Sequence, residues 1–265
     1  MSFQIETLSA LGENYIFLIS DRDLGLATVV DPGDGKLVSK ALKERELYLA
    51  LILNTHHHPD HTGGNIALQE EFGAPVIGPM KEKGLIPGIS RAVDGGDVVT
   101  FSTLRGKVLA TYGHTDGHIS YYFPQLKALF SGDTLFPFTC GRLDEGNTDQ
   151  MWESLKTLRA LPDDTQIFYG HERSETSAKF ALTIDKDNEA LKARAAEIVA
   201  LRKQGKPPMP TLLGVEKKCN PFLRTDQADF RKVLAKSRIA PEDADPEAVF
   251  GLLRSAKDHF GQQKL

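Results

Sequence analysis

Apolar residues recur along the chain at two periods. Residues 15–19 and 27–30 are short runs rich in β-branched and aromatic side chains, and Asp21-Arg22-Asp23 between them reads as a turn. Asp31-Pro32-Gly33-Asp34-Gly35 stops the second run, and Leu37, Ala41 and Leu42 then recur at helical spacing across 36–45. Residues 47–53 are almost continuously apolar, the mark of a buried strand. A helix is expected over 65–71 behind Gly64, and further strands over 75–77, 98–101, 107–110, 119–123 and 128–131. Gly95-Gly96-Asp97 is a turn before two of these strands. A helix over 148–160 has Thr148 as its expected N-cap, and a last strand covers 166–169. From Thr176 the pattern turns helical, over 177–183, 189–202, 227–235 and 241–260. The proline-rich stretch Gly205-Lys206-Pro207-Pro208-Met209-Pro210 reads as a stiff linker among these helices. The expectation is an α/β body over 1–171 and a small all-α C-terminal domain over 172–265.

Composition narrows the class of molecule. The chain has 265 residues, 40% hydrophobic and 26% charged, enough for a real core. Its net charge of −4 argues against a nucleic-acid footprint, so an anionic substrate must be drawn by local basic residues. Cys140 and Cys219 are the two cysteines, which excludes a disulfide scaffold and fits a reducing compartment. The start, Met1-Ser2-Phe3-Gln4-Ile5-Glu6, lacks the features of a signal peptide, and no apolar run approaches the roughly 20 residues of a membrane span. A cytoplasmic monomer with no nucleic-acid or membrane partner is expected.

The chemistry is concentrated in Thr55-His56-His57-His58-Pro59-Asp60-His61. Few arrangements other than a transition-metal site need so many imidazoles so close together. His56, His58, Asp60 and His61 are the core candidates, while His57 lies between two of them and is expected to point away. More donors must come from other strand ends. Tyr112-Gly113-His114 offers His114, preferred to His118 because His118 opens the next strand. Ser131-Gly132-Asp133-Thr134 offers Asp133, and Tyr169-Gly170-His171-Glu172 offers His171. Three strands ending in Gly-His or Gly-Asp are a stronger signal than any one alone, since sites gather on loops at strand ends. His259 stands apart and is assigned a surface role.

These residues resemble a known signature. His56-x-His58-x-Asp60-His61, with His114, Asp133 and His171, is similar to that of the metallo-β-lactamase superfamily. Within it the chain resembles the glyoxalase II, or hydroxyacylglutathione hydrolase, family over essentially its whole length. The motifs concerned are Ser131-Gly132-Asp133-Thr134-Leu135-Phe136, Cys140-Gly141-Arg142, Glu145-Gly146, Asn220-Pro221-Phe222-Leu223-Arg224 and Lys257-Asp258-x-Phe260. The resemblance implies an αββα sandwich with a helical domain covering the site. It implies two divalent ions, the first held by His56, His58 and His114, the second by Asp60, His61 and His171, with Asp133 bridging. Zinc is the expected metal, with iron and manganese as alternatives. The implied activity is hydrolysis of S-D-lactoylglutathione to D-lactate and glutathione, a step of methylglyoxal detoxification. Asp60 and Asp133 are the implied catalytic residues, and water activated by the ions is the nucleophile. A thiol leaving group of pKa about 8.5 needs no dedicated acid, and Cys140 is read as structural. Arg142 and Arg224 fall where family members bind the tripeptide. Two positions depart from the family pattern: Asp144 stands where an aromatic residue is common, and Arg173 where tyrosine is common. Both are counted as substrate contacts, and the two are expected to form an ion pair.

Rival readings use the same fold. A persulfide dioxygenase would need one iron, the Asn220 to Arg224 tail argues against a lactonase or β-lactam hydrolase, and Asp144 and Arg173 leave a hydrolase of another acyl-thiol as an alternative. A purely structural metal site would be a closed four-ligand cage, whereas seven donors leave room for water.

Overall fold

Two six-stranded sheets carry the molecule, a computed structural model that describes residues 2–260. The first contains β1 (Phe3–Ala10), β2 (Asn14–Asp21), β3 (Leu26–Val30), β4 (Tyr48–Leu53), β5 (Val76–Pro79) and β6 (Ile89–Val93), in that order across the sheet. The second contains β7 (Val98–Phe101), β8 (Leu104–Ala110), β9 (Ile119–Phe123), β10 (Ala128–Gly132), β13 (Gln166–Tyr169) and β14 (Thr211–Leu212), ordered β14-β13-β10-β9-β8-β7. A two-stranded ribbon, β11 (Leu135–Phe136) with β12 (Thr139–Cys140), lies between β10 and β13 in sequence.

The sheets face each other, and β2 shows why. All eight of its residues are buried. Successive strand residues point to opposite faces. Tyr15, Phe17 and Ile19 therefore enter the core between the sheets, while Ile16 and Leu18 enter a second cluster on the outer face. In the central core the Phe17 ring lies 5.5 Å from those of Phe130 and Phe168, both on the second sheet. Burying one such side chain contributes about 1.5–3 kcal/mol.

The outer cluster is closed by α1 (Gly35–Glu44) and α3 (Asn65–Phe72), which make the crossovers between the parallel pairs β3/β4 and β4/β5. Asp34 caps α1 by accepting the Leu37 N–H at 3.0 Å, and Val38, Ala41 and Leu42 form its buried stripe. Between β4 and α3 the chain makes a single turn of helix, α2 (Pro59–Thr62).

The second sheet is covered by α4 (Thr148–Arg159) and by the C-terminal elements α5 (Ser174–Ile184), α6 (Glu189–Lys203), α7 (Leu213–Cys219), α8 (Ala228–Lys236) and α9 (Pro246–His259). Met151, Trp152, Leu155 and Leu158 of α4 join the same core as Phe222, Phe230 and Phe250, with Trp152 and Phe250 rings 5.8 Å apart.

Several expectations change in detail. The N-cap of α4 is Asn147, not Thr148, because Asn147 and Gln150 satisfy each other's backbone N–H groups in a capping box. The stretch 205–210 leads into β14, which pairs antiparallel with β13 through Gln166↔Leu212 and Ile167↔Thr211. The C-terminal region is thus helical apart from one short strand lent to the second sheet. No helix among the described residues is long and apolar enough to cross a membrane.

Candidate metal centre

Four strand ends converge at one edge of the sandwich. β4 leads into His56, β8 into His114, β10 into Asp133 and β13 into His171. Pro59 opens α2 and sets Asp60 and His61 in its single turn. The glycines before these residues are there for space. A Cβ at Gly170 would lie 2.2 Å from Asp133 Oδ1 and 2.8 Å from the His61 ring. Gly132 has a left-handed backbone (φ +50°), and a Cβ there would lie 2.5 Å from Thr55 Oγ1 and 2.6 Å from His118 Nε2.

Hydrogen bonds on the far side of the rings fix where the lone pairs point. Thr55 Oγ1 donates to Asp31 Oδ2 at 2.8 Å, so it accepts from His56 Nδ1 at 2.9 Å and leaves His56 Nε2 as the free acceptor. That Nε2 is buried with no hydrogen-bond partner. His114 Nδ1 donates to the carbonyl of Arg142 at 2.9 Å, so its Nε2 also carries a lone pair. This Nε2 faces His58 Nδ1 at 3.2 Å. On the other side of Asp133, His61 Nε2 and His171 Nε2 face each other at 3.1 Å, and His171 Nε2 lies 3.4 Å from Asp60 Oδ2. His61 Nδ1 sits 3.1 Å from Asp31 Oδ2; the N–H does not point along that contact, which is ionic in character.

The donors form two sets, His56/His58/His114 and Asp60/His61/His171, each with its donor atoms close enough to hold one ion. Asp133 reaches both: its Oδ1 is 3.5 Å from His61 Nε2, and its Oδ2 is 3.1 Å from His171 Nε2 and 3.6 Å from His114 Nε2. Converging lone pairs with a buried carboxylate between them fit divalent cations bound by nitrogen and oxygen. Burial opposes the charge on Asp133, yet His61, His171 and His114 hold its carboxyl well below the usual carboxylate range. Burial would push His61 down, but Asp133, Asp31 and Asp60 outweigh it and raise the ring to about 9, so protons and cations compete for it. His56 is kept neutral by burial and by the neighbouring rings.

Several supporting residues carry no signal in the sequence pattern. Asn14 holds Asp60 by donating to Oδ2 at 2.9 Å. His118 is fully buried, accepts the Asp133 N–H on Nε2 at 3.0 Å and donates through Nδ1 to Thr111 at 2.9 Å. It is His114, not His118, that faces His58. His57 turns away: its N–H and Nδ1 both bond Glu82, at 2.7 and 2.9 Å.

The cluster forms the floor of a pocket of about 610 Å³, within the usual range for small-molecule sites. Arg142, Asp144 and Arg173 line it, as do Arg254, Lys257 and Asp258 of α9. Arg254 and Lys257 are one turn apart on α9, an i,i+3 pair whose direction only the packed helix reveals. Burial, and then Arg254, bring the Lys257 amine down to about 8.

Two expectations about substrate contacts fail. Arg224 does not line this pocket; its guanidinium is buried against Asp185 and lies 4.5 Å over the Phe230 ring. It ties the turn after α7 to the end of α5. Nor do Asp144 and Arg173 pair. The backbone N–H groups of Asp144 and Glu145 both bond the His114 carbonyl at 3.2 Å, which holds Asp144 beside Arg142, 3.6 Å away. The Glu172 N–H bonds the Glu13 carbonyl at 2.8 Å, which brings Glu13 within 3.6 Å of Arg173.

Residues 11–171 match the model of the metallo-β-lactamase superfamily, and residues 172–260 match that of the hydroxyacylglutathione hydrolase C-terminus. A hydroxyacylglutathione hydrolase of Rhodospirillum rubrum is 46% identical over 259 residues, covering 98% of this chain and 99% of that protein. This chain belongs to the hydroxyacylglutathione hydrolase family. The two matched regions adjoin in the chain, and the pocket draws its floor from the first and Arg173, Arg254 and Lys257 from the second. Among solved structures it is similar to ETHE1 from Myxococcus xanthus (TM-score 0.65, 25% identity, 97% of this chain and 98% of that one). It is also similar to TTHA1623 in a di-iron-bound form (TM-score 0.58, 28% identity, 83% of this chain and all of that one).

Proposed function

We propose that the chain is a cytoplasmic, monomeric thioester hydrolase that cleaves S-D-lactoylglutathione to D-lactate and glutathione. The observation that carries this reading is the pair of donor sets joined by Asp133 on the floor of a cation-lined pocket. His56, His58 and His114 would hold one divalent ion and Asp60, His61 and His171 a second, with Asp133 within reach of both sets. Zinc is favoured by the imidazole-rich set, with iron and manganese as alternatives; the di-iron form of TTHA1623 supports a count of two. Bound ions would supply Lewis acidity and a water made acidic enough to attack at neutral pH.

The chain's own residues do the rest. Thr55 and the Arg142 carbonyl keep the protons of His56 and His114 on the outward nitrogens, and Asp31 lies against His61 Nδ1. Asn14 and His118 hold the two carboxylate-bearing segments in place. Lys257, Arg142 and Arg173 give the substrate carboxylates cationic partners, while Arg254 is tied to Asp258 and the Cys140 carbonyl and braces that wall. The leaving thiolate is stable enough to depart without a proton donor. Cys140 takes no part as nucleophile: burial raises its thiol pKa, so it stays protonated.

Thioester hydrolysis assayed on protein of known metal content tests this. Thiol release with two ions per chain is expected. Oxygen consumption with one iron per chain would favour the persulfide dioxygenase reading instead.

A further inference from the structure

Arg142 and Asp144 form a loose ion pair on the pocket wall, with Asp144 Oδ2 also 3.8 Å from His114 Nδ1. Arg142 Nε is 3.6 Å from Asp144 Oδ1, too far for a hydrogen bond, and the Asp144 carboxylate accepts none among the described residues. Their side chains are 62% and 35% exposed, so the pair contributes little to the fold. Yet both are anchored to the metal centre. The Arg142 carbonyl accepts from His114 Nδ1 at 2.9 Å, and the Asp144 N–H bonds the His114 carbonyl at 3.2 Å. A cation and an anion are thus presented at a fixed place beside the reacting centre.

We propose that Arg142 and Asp144 form a subsite for the α-amino-acid head of the thiol carrier, Asp144 taking its ammonium and Arg142 its carboxylate. The inference deepens the thioesterase reading and rests on it for the position of the acyl group. An α-amino acid carries both charges on one carbon, so it can set each against its opposite in the pair. A carrier whose amine is blocked leaves Asp144 facing a neutral group, which makes Asp144 a device of rejection as well as attraction. Lys257, which also lines the pocket, remains for the carrier's second carboxylate, while Arg254 is already paired with Asp258. Asp144 is the specificity-determining residue, and the bonds to His114 fix how far from the thioester the head is read.

The test measures binding of S-methylglutathione and its N-acetylated form to the metal-loaded protein by calorimetry. Wild-type protein is expected to prefer the free amine by ~5- to 10-fold. Asp144→Asn should bring that ratio to about 1, and Asp144→Glu should restore part of it. Arg142→Gln should weaken both probes by a similar factor and leave the ratio unchanged. No preference in the wild type, or a preference that survives Asp144→Asn, overturns the proposal. Lactoylglutathione turnover on the same preparations separates the two claims. An Asp144-dependent preference without turnover would sink the thioesterase reading and leave the subsite standing. Turnover without the preference would do the reverse.

Discussion

The Nε2 atom of His118 accepts the backbone N–H of Asp133 at 3.0 Å. Because that nitrogen accepts, Nδ1 carries the proton and donates to the hydroxyl of Thr111 at 2.9 Å, with Thr134 Oγ1 at 3.1 Å. Burial, and then the neighbouring His114 ring, keep the ring neutral. A histidine close to the ligand cluster therefore serves to position the shared carboxylate. His118→Ala removes a buried bond and leaves a cavity, and should cost about 2–4 kcal/mol. Thermal denaturation should show a fall in Tm, accompanied by weaker metal retention. A variant with wild-type Tm and metal content would remove His118 from this role.

Asp31 braces both donor sets from behind. Its Oδ1 accepts the Thr55 N–H, its Oδ2 accepts the Thr55 hydroxyl that orients His56, and the same oxygen lies against His61. Its backbone is left-handed (φ 52°), which asparagine also tolerates, so Asp31→Asn leaves the turn intact. Metal affinity should fall by roughly 10- to 100-fold, as for other residues that orient ligands. A metal titration followed by circular dichroism checks that the loss is one of affinity and not of fold.

Lys257 gives the pocket a pH dependence. Burial, and then Arg254, lower it from the ordinary lysine range to about 8. Below that pH it is charged and attracts a substrate carboxylate; above it the charge is lost. KM should therefore rise as pH passes about 8, by roughly 5-fold for a half-buried ion pair. Lys257→Met, which removes the amine that lies 5.4 Å over the Phe180 ring but keeps an apolar side chain of similar length, should show the high KM at all pH values. A KM that is flat from pH 7 to 9 in the wild type would contradict this.

Arg224 should behave as a structural residue. Its guanidinium pairs with buried Asp185 away from the site. Arg224→Ala leaves that carboxylate without its cation and should cost about 3 kcal/mol, read as a lower Tm with KM unchanged. A rise in KM at constant Tm would return Arg224 to the substrate contacts.

The candidate donors were legible because they lie just after strands, four of them in one short run and His114, Asp133 and His171 each directly after a glycine, a pattern local in sequence. The residues that orient the donors were not. Asn14 sits 46 positions from Asp60, and Asp31 is 24 from Thr55. In sequence Asp31 is only part of a turn, and nothing local ties it to the rings. The same limit hid the role of α9: Arg254 gave no signal, and Lys257 entered only as part of the Lys257-Asp258-x-Phe260 motif, until packing against Phe180 and the Cys140 segment turns them inward. Strand β1 was missed because its first five residues, Phe3–Thr7, are only partly buried or exposed. Its polar residues leave it without the continuous apolar run that marked β2. Arg224 misled for the opposite reason: a motif shared along the chain gives no indication of which way a side chain points.

The most direct measurement is turnover of lactoylglutathione as metal is titrated into metal-free protein, with wild-type protein and Asp133→Ala compared. If two ions joined by Asp133 are the active centre, activity should rise to its plateau only as the second equivalent binds, and the variant should be inactive. Full activity at one ion per chain, or an active Asp133→Ala, would contradict the account.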